Sequence, residues 1–275
     1  MNKHVRNLLI ILGELCLLAL LIWGPERLAQ YRDKSSLNQI IAEPVAESGT
    51  GFRYTLSSNE KLYILSQCLE NQILPETEQS RKTRVESEEF GLKKLTGSYA
   101  FVVNYQEPRE GEIKETEIFD ACNEELETLK KLGILPQEVR EVTEDAYSAT
   151  LYSAIDVLDP QSNMSVWKVS LSTSQQNADK SNRLLDVYVD AETGKVYEFY
   201  VRIEAVWEDL VPKEIVQKWS DYLGLQGMTA YETDNPLLET TPYFLKYRFP
   251  GMDENSTVVT IGFYEGIQEL FLKIS

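Results

Sequence analysis

The chain has 275 residues, of which 44 are acidic, 27 are basic and one is histidine, for a formal net charge of −17. Nucleic acid and anionic lipid need concentrated positive charge. The nearest such run, Arg81-Lys82-Thr83-Arg84, is closely followed by Glu86-Ser87-Glu88-Glu89, so nucleic acid is not an expected partner and the acidic excess serves solubility. The lone histidine, His4, precedes the hydrophobic segment. Ser–His–Asp and Cys–His catalysis and most catalytic zinc sites are therefore not expected in the main body, and no cofactor or metal is anticipated.

Residues 1–24 form an apolar segment between Lys3 and Arg6 on one side and Gly24-Pro25 on the other. From Val5 to Trp23 a helix would reach about 28 Å at roughly 1.5 Å per residue, enough for a bilayer. Glu14 sits near its middle. A central acid opposes insertion by about 3 kcal/mol, and the leucines and isoleucines return roughly 3–7. The expectation is a single-pass transmembrane anchor at the cell membrane, with the bilayer as partner through residues 5–23. A cleaved signal peptide and a peripheral helix are the alternatives. The acid-free N-terminal tail, against Glu26 and Asp33 after the span, favours a cytoplasmic tail and an extracytoplasmic C-terminal domain. Glu14 is a candidate contact for a partner helix in the membrane.

Residues 25–111 read as a juxtamembrane helix (25–41), a linker and a small helix-and-strand region. Ser57 or Ser58 can cap a helix carrying Leu62, Leu65 and Leu69, and residues 98–105 have strand character. A pattern then appears twice. A helix at about 115–132, with Ile118, Cys122, Leu126 and Leu129 on one face, precedes strand-like runs at 147–157, 165–171, 183–190 and 194–203. A second helix from Pro212, with Ile215, Val216, Trp219, Tyr222 and Leu223 on one face, precedes runs at 228–233, 242–249, 257–264 and 266–274. The expected fold is α+β: an N-terminal transmembrane helix, then two units of one helix plus four antiparallel strands, at 112–204 and 205–275. One larger sheet is the alternative. Cys16 lies in the apolar run, while Cys68 and Cys122 lie on apolar helix sides. Buried free thiols are expected there, with a bridge between Cys68 and Cys122 as the alternative.

The most informative string is Asp190-Ala191-Glu192-Thr193-Gly194-Lys195-Val196. It reads as a structural hairpin turn in which Asp190 accepts hydrogen bonds from the turn, supported by Thr193, and Gly194 supplies left-handed backbone. With Val166–Leu171, Val187–Asp190 and Ala191–Phe199, it resembles the PepSY domain family over residues 115–203. A divergent second copy at 212–274 is similar in layout only. The resemblance implies a non-catalytic, extracytoplasmic or membrane-tethered module that binds or restrains envelope proteins such as a peptidase or a sensor kinase.

The expected function is thus binding and regulation of a protein partner rather than enzymatic turnover. A subunit of a membrane or sporulation-type assembly is the alternative, and a hydrolase using paired carboxylates is a further one. Tyr188, Tyr197 and Tyr200 are candidate partner contacts and, with Tyr264, candidate surface aromatics, although strand alternation equally allows some of them to face the core.

Overall fold

Ser57 and Glu60 start the first helix through a reciprocal pair of bonds. The Glu60 N–H donates to Ser57 Oγ at 3.3 Å and the Ser57 N–H to Glu60 Oε2 at 2.7 Å, a capping box. The computed structural model describes residues 53–73, 99–172, 180–231, 243–252 and 254–275. Helix α1 runs Ser58–Ile73, α2 Ile118–Lys131 and α3 Pro212–Leu223. The strands are β1 Tyr99–Val103, β2 Tyr147–Asp156, β3 Asn163–Leu171, β4 Arg183–Asp190, β5 Val196–Arg202, β6 Thr229–Ala230, β7 Phe244–Pro250, β8 Ser256–Tyr264 and β9 Glu269–Ile274.

All nine strands join one antiparallel sheet in the order β1-β2-β3-β4-β5-β9-β8-β7-β6. This corrects the expectation of two separate helix-plus-four-strand units: the protein is mostly a single sheet. The physical reason is β9, which pairs with β8 on one side and with β5 on the other. Phe199 and Val201 stand opposite Leu272 and Leu270, and all four are fully buried. Leaving β5 and β9 as two unpaired edges would expose that apolar seam and its backbone groups. The transmembrane part of the expected fold, the juxtamembrane helix and Glu14 lie outside the described residues. Among the described residues no helix is long and apolar enough to cross a membrane.

One sheet face carries Trp167, Val169, Val187, Val189, Ile261, Phe263 and the seam residues, all buried. Helix α2 adds Ile118, Cys122, Leu126 and Leu129 to this core. The Trp167 indole N–H reaches the Ile113 carbonyl just ahead of that helix at 2.9 Å. Helix α3 brings Trp219, whose Nε1 donates to the Val196 carbonyl at 3.1 Å and whose ring meets Phe249 edge to face at 6.1 Å. Truncating either aromatic would cost roughly 3–5 kcal/mol.

Helix α1 ties the two halves of the sheet together. Beyond Phe199 and Leu272 the two seam strands stop pairing, and the Ile274 N–H donates instead to Glu198 Oε2 at 2.9 Å. On one side of that opening Lys61 Nζ reaches Asp190 at 2.9 Å, and Cys68 and Asn71 donate to the β1 carbonyls of Ala100 and Tyr99. On the other, Ser58 donates to Leu223 O, Asn59 to Gln226 O and Pro250 O, and Ser66 shares a hydrogen bond with Thr257. A helix bonded to both sides is buried nearly all round, and Leu62, Ile64, Leu65 and Cys68 have no exposed surface.

Candidate partner-binding face

Antiparallel partners point to the same side of a sheet, so the register assigns every side chain to a face. Opposite the helix-covered core, one cross-strand row contains Ser170, Asp186, Tyr200, Phe271, Gly262 and Phe244, running from β3 to β7. Two residues along β5, β9 and β8, and three along β4 across a register shift, lies a row with Arg183, Arg202, Glu269 and Tyr264. On the other side lie Lys168, Tyr188 and Glu198, and then Lys273, Thr260 and Lys246. Most of these side chains are half-buried, as expected where a sheet meets solvent.

The middle row is aromatic. The rings of Tyr200 and Phe271 lie 6.1 Å apart and nearly parallel, and Tyr264 stacks on Phe271 at 4.8 Å. Glycine at 262 makes this possible, because a Cβ there would stand 2.8 Å from Phe271 Cε1 and 2.9 Å from Phe244 Cβ. Cations sit over the flanking rings: Lys168 over Tyr188 at 5.4 Å, Lys246 over Phe244 at 5.7 Å and Arg248 over Tyr231 at 5.1 Å.

Among the acids, Asp186 accepts the Ser170 hydroxyl and lies 3.7 Å from Lys168 Nζ. Glu198 is 4% exposed, and burial pushes its carboxyl up to about 7 against the pull of the Ile274 N–H, the Tyr200 hydroxyl, Lys273 and Lys168. Burial likewise raises Glu269, with Arg202 pulling the other way. Arg183 and Arg202 face each other directly, and their buried Nε atoms have no hydrogen-bond partner among the described residues.

Of the four tyrosines singled out from sequence, Tyr200 lies half-buried in the aromatic row and Tyr264, 54% exposed, stands beside it. Tyr188 is on the same face but 8% exposed, so it supports the row from below. Tyr197 is 3% exposed and is a core residue rather than a surface contact. The hairpin turn stands at the opposite end of β4. There Asp190, 1% exposed, accepts the Glu192 N–H at 3.0 Å and the Thr193 hydroxyl at 2.9 Å, while Gly194 adopts φ 75°. Asp190 also accepts from Lys61, which bonds Glu192 at 2.7 Å as well. The turn is thus a structural anchor for α1. Phe271, Phe244 and the cations beside them were not singled out from sequence. Their signal was present in the alternation of Glu269–Ile274 and Phe244–Pro250, but only the β5–β9 pairing brings them beside Tyr200.

Among the described residues no cluster of His, Cys, Asp and Glu is arranged to hold a metal ion. The chain matches no protein-family model, and comparison with curated proteins and with solved structures gives no similar chain.

Proposed function

We propose that this chain is a non-catalytic regulatory protein, held in the cell membrane through residues 5–23 with its folded part outside the cytoplasm, that binds an envelope protein such as a sensor kinase or a peptidase. The observation that carries the reading is the aromatic cluster on the sheet face that meets solvent: half-buried Tyr200 and Phe244 and exposed Tyr264, with Phe271, itself 6% exposed, packed beneath Tyr200 and Tyr264. Such a face is ordinarily polar, whereas rigid aromatic side chains with a polar surround are what protein interfaces favour. The apolar run at Leu8–Trp23 supports the anchor. The resemblance of residues 115–203 to PepSY domains supports a binding role.

The test places a photo-crosslinking amino acid at Tyr264, which is 54% exposed, in the full-length protein in its own membrane. A second probe at exposed Glu124 on α2 serves as the control. One discrete crosslinked protein from position 264 and none from 124 is the expected result. Crosslinks only to further copies of the chain would favour the assembly subunit. Equal labelling from both positions would refute the face as the binding surface.

A further inference from the structure

The open face reverses the charge of the rest of the protein. Away from α1 the register places six basic residues on it, Lys168, Arg183, Arg202, Lys246, Arg248 and Lys273. Against them stand three acids, Asp186, Glu198 and Glu269. Asp186 is already engaged with Lys168 and Ser170, and Glu198 is buried. In a chain of net charge −17, a local excess of cation is not what composition alone would produce. The cations flank the aromatic row on both sides: Arg183 and Arg202 on one, and Lys168, Lys246 and Lys273, with Arg248 beyond them, on the other. Arg183 and Arg202 stand directly opposite one another, with Glu269 opposite Arg202 on the next strand and the Tyr147 hydroxyl beside Arg183, so two like charges share one neighbouring acid. Their buried, unpartnered Nε atoms add unmet demand for an acceptor.

Resting on the binding role proposed above, we infer that the occupant of this face is an acidic protein segment in extended conformation, lying across the strands with apolar side chains on Tyr200, Tyr264 and Phe244 and carboxylates toward the flanking arginines and lysines. The dimensions fit. The flanking rows stand about 7 Å to either side of the aromatic row, within reach of the carboxylates of a peptide backbone that lies along it. From Tyr200 on β5 to Phe244 on β7 the aromatic row spans three strand intervals, about 14 Å, or roughly four extended residues. A short segment feels the local cations, because charges farther than about 8 Å are largely screened at physiological salt. A bilayer or a nucleic acid is a broad anionic surface that would also meet the surrounding acidic residues, so a single acidic strand suits the patch better than either.

The probe is a fluorescein-labelled synthetic peptide of alternating Glu and Leu, binding to the full-length protein in detergent micelles as followed by anisotropy. Controls are the Gln–Leu peptide, the Lys–Leu peptide and vesicles containing phosphatidylserine. The expected result is that the Glu–Leu peptide binds at least about tenfold tighter than the Gln–Leu peptide and weakens about tenfold on Arg202→Gln with Lys273→Gln. Unchanged thermal melting of that variant shows that the fold is intact. Equal binding of the Gln–Leu peptide, insensitivity to the substitutions, or tighter binding to the vesicles would each overturn the inference. A partner crosslinked at position 264 that an excess of Glu–Leu peptide fails to displace would overturn this inference while leaving the binding role standing. Peptide binding without any crosslinked partner would support the surface chemistry and count against the regulatory role.

Discussion

The ring of Phe271 occupies the space that a side chain at position 262 would need. A Cβ on Gly262 would meet Phe271 Cε1 at 2.8 Å and the Phe244 Cβ at 2.9 Å, so the cross-strand aromatic exists only because its neighbour has no side chain. Gly262→Ala should destabilise the protein by about 1–3 kcal/mol through overpacking, read as a lower urea midpoint. Phe271→Leu alone should also destabilise. The double substitution should lose less than the two single losses combined, because the smaller side chain relieves the clash. Strict additivity would show that the ring has another place to go.

Lys61 and Asp190 form a buried pair that anchors α1 to the β4–β5 turn. Burial opposes the ammonium charge, but Asp190 and Glu192 outweigh it and hold Lys61 above the usual lysine range. Lys61→Met should cost about 3–5 kcal/mol, because it leaves a buried carboxylate without its cation. Adding Asp190→Asn to Lys61→Met should restore part of the loss. No recovery would mean that the lysine acts through packing rather than charge.

Glu198 gives the fold a pH dependence of definite sign. Its carboxyl is raised from 4.5 to about 7, so the folded state holds a proton that the unfolded chain releases. The stabilising contribution is fully present below about 4.5 and is lost as pH rises through about 7, a change of about 3 kcal/mol. Glu198→Gln should therefore stabilise the protein at pH 8 relative to the parent and lose that advantage at pH 4.5. Urea midpoints at the two pH values check this, and a constant difference between them would contradict it.

The thiols of Cys68 and Cys122 are both buried and free, and burial pushes each up to about 12. Iodoacetamide at pH 8 should leave both unmodified in the folded protein and alkylate both in 6 M guanidinium, as mapped by mass spectrometry. Rapid alkylation of Cys122 under native conditions would show that α2 opens readily.

Local pattern carried much of the architecture. The apolar stripes Ile118, Cys122, Leu126, Leu129 and Ile215, Val216, Trp219, Leu223 mark the helices, and both sets are buried. Strand character located all nine of the sheet's strands by residue range, although the run at 228–233 pairs only at Thr229 and Ala230. Which edges would meet was not legible, because Phe199 or Leu272 would look equally apolar facing a helix or lining a seam. Helix α1 was legible as a helix but not as a link between halves. Lys61 and Asp190 are 129 positions apart, and neither residue type announces its partner. The binding face depended on the same missing fact. Tyr200 stood out as an aromatic, yet Phe271 joins it only through pairing of β5 with the last strand in chain order.

The position of β9 sets the order in which the sheet can be completed. Everything from β1 to β5, and everything from β6 to β8, is synthesised before the residues that weld those groups together. A ribosome stopped ahead of residue 269 would release two partial sheets, each with a bare strand border where the other should be. Such borders recruit neighbouring polypeptides, so a chain that lacks Glu269–Ile274 should aggregate.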